Sequence, residues 1–300
     1  MYMDFSTLLN QLINGLQSGS IFALVALGYS MVYGIILLLN FAHGDIIMVG
    51  AYAAWMCMVN FNLHPLLSIV IAVIVSTLMG VIIEKVAYTP LRSAPRLSLL
   101  ITAIGISFLL ENGFQLIFGS GAKDMTQAVR PLTSGPALEL GSVSINFTAL
   151  VTIVISVVAM AVLTFLVNKT RMGKAMRAVS EDMGAAQLMG ISLNKTISYT
   201  FAIGSALAGI GSVLYLCAYP QASPTMGSML GLKAFVAAVL GGIGSIPGAM
   251  IGGFLIGIAE ALVTAVGLSV WKDGVVFAIL VVVLLIKPTG LLGHKTQEKV

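Results

Sequence analysis

The chain has 300 residues, of which 58% are hydrophobic and only 9% charged, with a formal net charge of +4. A soluble domain carries about 25% charged residues, so this composition cannot give a chain of this length a water-facing surface, and it reads as an all-α polytopic membrane protein. The basic residues gather at the ends of apolar runs, where membrane topology accounts for them, so the charge points to no nucleic-acid partner.

In chain order, the apolar runs predict spans near 9–38, 41–60, 65–87, 97–118, 146–167, 196–217, 231–244, 248–266 and 274–292. The hydrocarbon core takes about 20 residues per helix, whereas barrel strands would be about ten residues long with alternating polarity. The first run is long enough to tilt or kink, and the second and seventh are short. The expectation is about nine spans, with eight to ten as the range if a short segment is re-entrant. No secretory leader pattern opens the chain, so the first span is expected to act as its own insertion signal. Cys57 and Cys217 lie in or beside apolar runs and imply neither a disulfide framework nor a metal site.

No basic residue precedes Lys85. Lys85, Arg92 and Arg96, then Lys169, Arg171, Lys174, Arg177 and Lys195, then Lys287, Lys295 and Lys299 fall on one side of the membrane; Lys123, Arg130, Lys233 and Lys272 fall on the other. The positive-inside rule puts the larger group in the cytoplasm, with the N-terminus outside and the C-terminus cytoplasmic. The polar stretch 119–145, with Pro131 and Pro136, is then an extracytoplasmic loop. It reads as a small cap or docking surface, or as a solvated connector.

Two places are rich in helix breakers. Between the first two spans, Asn40, His43 and Asp45 bring polar groups to membrane depth beside Gly44 and Gly50. Later, Gly241, Gly242, Gly244, Pro247, Gly248, Gly252 and Gly253 crowd one segment. Paired interruptions of this kind point to a transport pathway, while single glycines more often let helices pack closely. Ionisable groups inside spans are costly. Glu260 stands deep in an apolar run, and Glu111 sits with Asn112 and Gln115 in the outer half of its span. Each reads either as cavity-lining or as a buried acid satisfied by a partner such as Lys233. No chain of acids and histidines runs from face to face, and no G-x-x-x-x-G-K-S/T phosphate loop, H-E-x-x-H, G-x-S-x-G or C-x-x-C occurs, so nothing suggests an enzyme.

Between two apolar runs, residues 168–195 are compact and basic. Met172, Met176, Val179, Met183, Ala186 and Gly190 recur at spacings of three and four, which predicts one helical face with Lys174, Arg177, Glu181 and Asp182 largely off it. Methionines make an adaptable contact surface. The alternative is an interfacial helix lying on anionic membrane lipid.

Several stretches together resemble the LivH-type permease subunits of bacterial branched-chain amino-acid ABC transporters. They are Gly28-Tyr-Ser-Met-Val-Tyr-Gly-Ile35, Asn40-Phe-Ala-His-Gly44, Arg171-Met-Gly-Lys174, Glu181-Asp182 with Ala185 and Gly190-Ile191, Lys233-Ala-Phe with Ala237 through Gly253, Glu260-Ala261 and Pro288-Thr-Gly290. The resemblance runs through nearly the whole chain and implies one transmembrane permease domain, 1–300, in a bacterial inner membrane. It implies a second related permease chain, two cytoplasmic ATPase subunits that use ATP, an extracytoplasmic substrate-binding protein, and no cofactor or metal in this chain. It also marks 168–195 as a coupling loop, with Arg171, Gly173, Glu181, Asp182, Ala185, Ala186 and Gly190 at the ATPase contact; Asp182 stands where a strict E-A-A motif has alanine. Asn40, His43, Gly44, Asp45, Gly241, Gly242, Gly244, Pro247 and Glu260 are the expected border of the translocation path. Some relatives of this type serve urea or short-chain amides, and a secondary carrier or channel for a small neutral solute is the rival class.

Overall fold

The computed structural model describes residues 5–36, 40–92, 94–135, 138–140 and 143–293. Each expected run folds as a helix. In chain order come α1 (Phe5–Ile36), α2 (His43–Trp55, continued by a wider turn to Asn60), α3 (Pro65–Ile83, continued likewise to Tyr88) and α4 (Arg96–Phe118). The loop beyond α4 holds α5 (Thr126–Thr133) and leads to α6 (Phe147–Lys169). Two short helices follow, α7 (Arg171–Glu181) and α8 (Met183–Leu188), then α9 (Leu193–Ala218), α10 (Met226–Gly241), α11 (Ile246–Ala265) and α12 (Lys272–Ile286). Pro247 does not break a helix: it lies in the first turn of α11, where its missing N–H is one of the unpaired ones anyway, and Ser245 Oγ accepts the Gly248 N–H at 3.2 Å.

The expected count of about nine spans is not confirmed. Among the described residues, seven helices are long and apolar enough to cross a membrane: α1, α3, α4, α6, α9, α11, and α12 with the short turn before it. The other two fall short. At 16 residues, α10 rises about 24 Å against a core of about 30 Å, and α2 opens on His43 and Asp45. Irregular backbone at membrane depth must be covered by protein: Asn40 and Ala42 at the start of α2, and Ala222 and Met226 at the start of α10, are buried, while Gln221 and Thr225 are exposed. Leu37–Leu39, between α1 and α2, lie outside the described residues, as do Pro136, Lys295 and Lys299.

At the centre of the bundle is α1, which packs against α11, α9, α10 and α6. Large side chains cover the outside: Leu116 of α4, Phe165 of α6, Leu285 of α12 and Leu78 of α3 are exposed. This inversion is expected in lipid, where burial of apolar surface gives no advantage and close backbone approach does. Gly15, Gly19 and Ala23 of α1 recur every four residues, and so do Gly253, Gly257 and Ala261 of α11. The two stripes meet: a methyl group on Gly19 would lie 2.8 Å from the Gly253 carbonyl oxygen, and one on Gly15 2.6 Å from Ala261 Cβ.

The stretch 119–145 folds as a small cap. Its strand β1 (Lys123–Asp124) pairs antiparallel with β4 (Gln221–Ala222) after α9, with Lys123 opposite Ala222; β2 (Leu138–Leu140) and β3 (Val143–Ile145) form a second antiparallel pair. Asp124 accepts the Thr126 N–H and hydroxyl at 3.1 and 2.6 Å, which starts α5 and holds the Asp124 carboxyl below its usual pKa. Met125 and Val129 are buried and fix the cap to the bundle. The expected all-α fold therefore carries four very short strands, all described outside the spanning helices.

A single helical face over 171–193 does not form. The chain breaks at Asp182, which is extended (φ −155°, ψ 111°) and caps α8 by accepting the Ala185 N–H at 2.9 Å. The reason is local: a short acidic side chain stabilises a helix start better than a helix interior.

The α1–α11 crossing yields a direct test. Gly257→Val is expected to cost about 1–3 kcal/mol through overpacking, read as a lower midpoint of thermal aggregation in detergent. Gly113→Ala on α4, where nothing lies within 4 Å of the added methyl, should leave the midpoint unchanged or slightly raised. Equal behaviour of the two variants would show that the crossing is not tight.

Candidate functional site

Three features carry the candidate residues: a hairpin at one end of the bundle, a buried polar seam, and a cavity at the other end. The hairpin is α7 and α8. Thr170 ends α6 and caps α7 by accepting the Gly173 N–H at 3.0 Å. Gly173 is buried at this corner, where a side chain would strike the carbonyls of Leu166 and Val167. Arg177 donates to the Val167 carbonyl. Met176 and Val179 are buried against the bundle, so the methionine face of α7 attaches the hairpin and does not present it. Arg171 and Lys174 remain exposed.

What projects is the tip. Ala186 is buried, while Glu181, Asp182 and Ala185 are exposed, and Leu188 and Met189 are 90% and 82% exposed. Gly190 closes α8: the Ile191 N–H bonds the Ala186 carbonyl and the Gly190 N–H bonds that of Gln187, both at 3.0 Å. This is a Schellman turn, and it requires the left-handed backbone of Gly190 (φ +83°). The turn holds two large apolar side chains out in solvent.

The polar seam lies at the start of α2. Asn40 Oδ1 accepts the Tyr88 hydroxyl at 3.0 Å. His43 packs edge-on against Tyr29 with ring centroids 4.9 Å apart and fits against Gly28. Gly44 lies against the backbone of Gly227 and Gly231 in α10. Asp45 is fully buried near Ser107 and Glu111 of α4, and Glu111 accepts the Ser228 hydroxyl of α10. The second interrupted segment meets α1 slightly further along. Gly244 faces Gly34, Gly241 lies against Gly248, and Gly242 (φ +105°) contacts Gly290 and Gly293, while Gly244 and Pro247 are themselves exposed. Both segments thus border the second half of α1.

At the other end, Lys233 Nζ lies 2.6 Å from both Glu260 Oε1 and Asp273 Oδ1 and sits over the Phe22 ring. The Lys233 side chain is 9% exposed and that of Glu260 12%. Glu260 also lines a cavity of about 390 Å³ with Asn14, Gln17, Ser18, Tyr219 and Lys272. Glu260 thus has Lys233 as an ion-pair partner and also lines this cavity. Sequence reasoning missed two parts. Gln11, Asn14 and Ser18 recur at spacings of three and four, a polar face legible by periodicity. Asp273 follows Trp271-Lys272, which reads as a membrane-edge anchor, so nothing local marks it as a partner for Lys233.

A family model described as branched-chain amino acid transport system / permease component matches residues 11–284. The chain is 44% identical to the high-affinity branched-chain amino acid transport system permease protein LivH of Salmonella typhimurium, over 100% of both chains. It is 43% identical to the corresponding protein BraD of Pseudomonas aeruginosa, over 97% of this chain and 98% of that one. A ribose import permease protein, RbsC of Haemophilus influenzae, is 24% identical over 93% of this chain and 85% of its own. No solved structure matches.

The charge triad is testable without transport. Lys233→Met leaves two acids uncompensated and should cost on the order of 3 kcal/mol, seen as a lower unfolding midpoint in detergent. Adding Glu260→Gln and Asp273→Asn should recover most of that loss. No recovery would mean that Lys233 acts through packing on Phe22 and not through charge.

Proposed function

This chain belongs to the branched-chain amino acid transport permease family, and on that premise we propose that it is the transmembrane permease subunit of an ATP-driven importer of branched-chain, hydrophobic amino acids. One observation carries the reading: end-to-end identity of 43–44% to permeases named for that transport. The family is one of transport permeases, not enzymes. Nothing in the geometry favours urea, a short-chain amide, or a secondary carrier over this reading.

The division of labour follows from what this chain lacks and what it exposes. With no phosphate loop of its own, it relies on two ATPase subunits in the cytoplasm to use ATP; no cofactor is needed in the permease. The α8 tip is the docking element for one of them. Leu188 and Met189 enter a groove on the ATPase, Ala185 permits close approach, Gly190 sets the turn, and Arg171 and Glu181 flank the contact. A second, related permease chain completes the membrane unit. An extracytoplasmic binding protein delivers substrate to the face bearing the 119–145 cap and the polar cavity. The membrane is a bacterial inner membrane, with the N-terminus outside and the C-terminus in the cytoplasm, as the excess of basic residues on the hairpin side supports.

Within that frame, the path runs from the cavity beside Glu260 toward the seam of Asn40, His43, Gly44 and Asp45, and past Gly241, Gly242, Gly244 and Pro247. The polar cavity suits the charged ends of an amino acid, and the glycine-lined stretch suits its aliphatic side chain. Neither needs to bind tightly, because selection by a binding protein precedes entry.

Co-reconstitution with the partner subunits tests this. ATP-dependent uptake of labelled leucine, competed by valine and isoleucine and not by urea, is the expected result; uptake without ATP would overturn it. Leu188→Asp with Met189→Asp should leave membrane insertion intact and weaken recovery of the ATPase subunits by tenfold or more, since buried apolar anchors at an interface contribute over about 1.4 kcal/mol together. Unchanged recovery would refute the docking role of the tip.

A further inference from the structure

At the hairpin end of the bundle, one acid is fully occupied. Glu84, buried just beyond α3, is paired with Arg92 and accepts the hydroxyls of Thr89 and Ser198, each at 2.7 Å. Arg92 also donates to Asn194. That network neutralises Arg92 and ties the α3–α4 corner to the first turn of α9. It leaves two lysines over. Lys85, next to Glu84, and Lys195, next to Asn194, are both exposed, and neither makes an ion pair among the described residues.

These lysines stand at the mouth of a groove of about 390 Å³ between α3 and α9. The groove has a clear origin in the helix packing. Further along, α3 and α9 touch where Gly209 meets Val73 and Ser76, and again where Gly80 meets Ser205. Beyond the Gly80–Ser205 contact the groove opens. Val81 lines it one turn in from Lys85, and Tyr199 and Ala202 line it one and two turns in from Lys195. It is thus cationic at the bundle end and apolar toward the bilayer interior. Ile82 and Val86, beside it, are 53% and 72% exposed and face the surrounding lipid.

We infer that the α3–α9 groove is a binding site for an anionic phospholipid, with the phosphate between Lys85 and Lys195 and an acyl chain along Val81, Tyr199 and Ala202. A soluble anion would use the lysines and leave the trough empty. A neutral lipid would use the trough and gain nothing from two unpaired cations. Only an amphipathic anion uses both. Because Lys195 lies directly after the hairpin's return, the bound lipid braces the base of the coupling element. Lipid binding itself does not depend on which substrate the protein carries.

The test uses the full chain, purified in mild detergent and examined by native mass spectrometry with added phosphatidylglycerol or phosphatidylcholine. The wild type is expected to retain phosphatidylglycerol preferentially. Lys85→Ala with Lys195→Ala should weaken that retention about 30-fold, roughly fivefold per lysine, with phosphatidylcholine unaffected; the corresponding arginine pair should preserve it. Ala202→Trp fills the trough, keeps both lysines, and should also displace the lipid. Absence of a phosphatidylglycerol preference in the wild type, or its persistence in the alanine pair, would overturn the site. So would retention unaffected by Ala202→Trp, or displacement of the lipid by millimolar inorganic phosphate, either of which would make it a simple anion site.

Discussion

The close approach of α1 to α11 is the constraint on which the rest depends. In a bilayer, two leucine-covered helices gain little by leaving lipid for each other, so association must come from backbone proximity and from polar contacts. Gly15, Gly19 and Ala23 against Gly253, Gly257 and Ala261 supply the first of these. With α11 held this tightly, α1 becomes the hub to which α9, α10 and α6 also attach. The large side chains that would fill the core of a soluble protein are left on α3, α4, α6 and α12, where lipid solvates them.

A central helix packed on small residues leaves room for two short ones. At 16 residues α10 is shorter than a full span, and α2 opens on His43 and Asp45 from a start where Asn40 and Ala42 are buried. That burial lets Asn40, His43 and Asp45 exist at depth at all. The first-turn N–H groups of α2 could not be satisfied by lipid, and α2 packs against α1, α4 and α10. The polar seam and the short helices are therefore one feature seen twice. A longer α2 in the same place would need an apolar start and would leave no polar residues there.

Much of this was legible in the sequence. The seven long helices follow from run length, because a twenty-residue apolar run has few other solutions in a membrane. Lys233 as the partner of Glu260 follows from the cost of a lone buried charge. The boundaries of α10 did not follow, since glycine and alanine fill both helix and turn there, and hydropathy cannot tell where a helix made of small residues starts. The four-residue spacing of Gly15, Gly19 and Ala23 was present in the sequence, but a stripe acquires meaning only with its partner stripe some 240 residues later. The hairpin misled for a different reason. Periodicity through Met172, Met176, Val179, Met183 and Ala186 is real, yet Asp182 stands inside it, and a capping side chain outweighs an unbroken pattern. Of the face that looked available for a partner, the bundle buries Met176, Val179 and Ala186 and leaves Met183 exposed.

The two ends of the molecule accordingly use apolar surface in opposite ways. Along α7, Met176 and Val179 are spent on attachment to α1, α6 and α9, and the corner at Gly173 leaves no slack between α6 and α7. At the α8 tip, Leu188 and Met189 are held away from every such surface by the Gly190 turn. A rigidly attached base with an exposed apolar tip transmits displacement; a flexible base would absorb it. Since α7 contacts α1, and α1 carries Asn14, Gln17 and Ser18 at the cavity beside Glu260, one helix is shared by the hairpin, the seam and the cavity. No chain of side chains needs to relay between the ends, because the element that touches both is continuous over 32 residues.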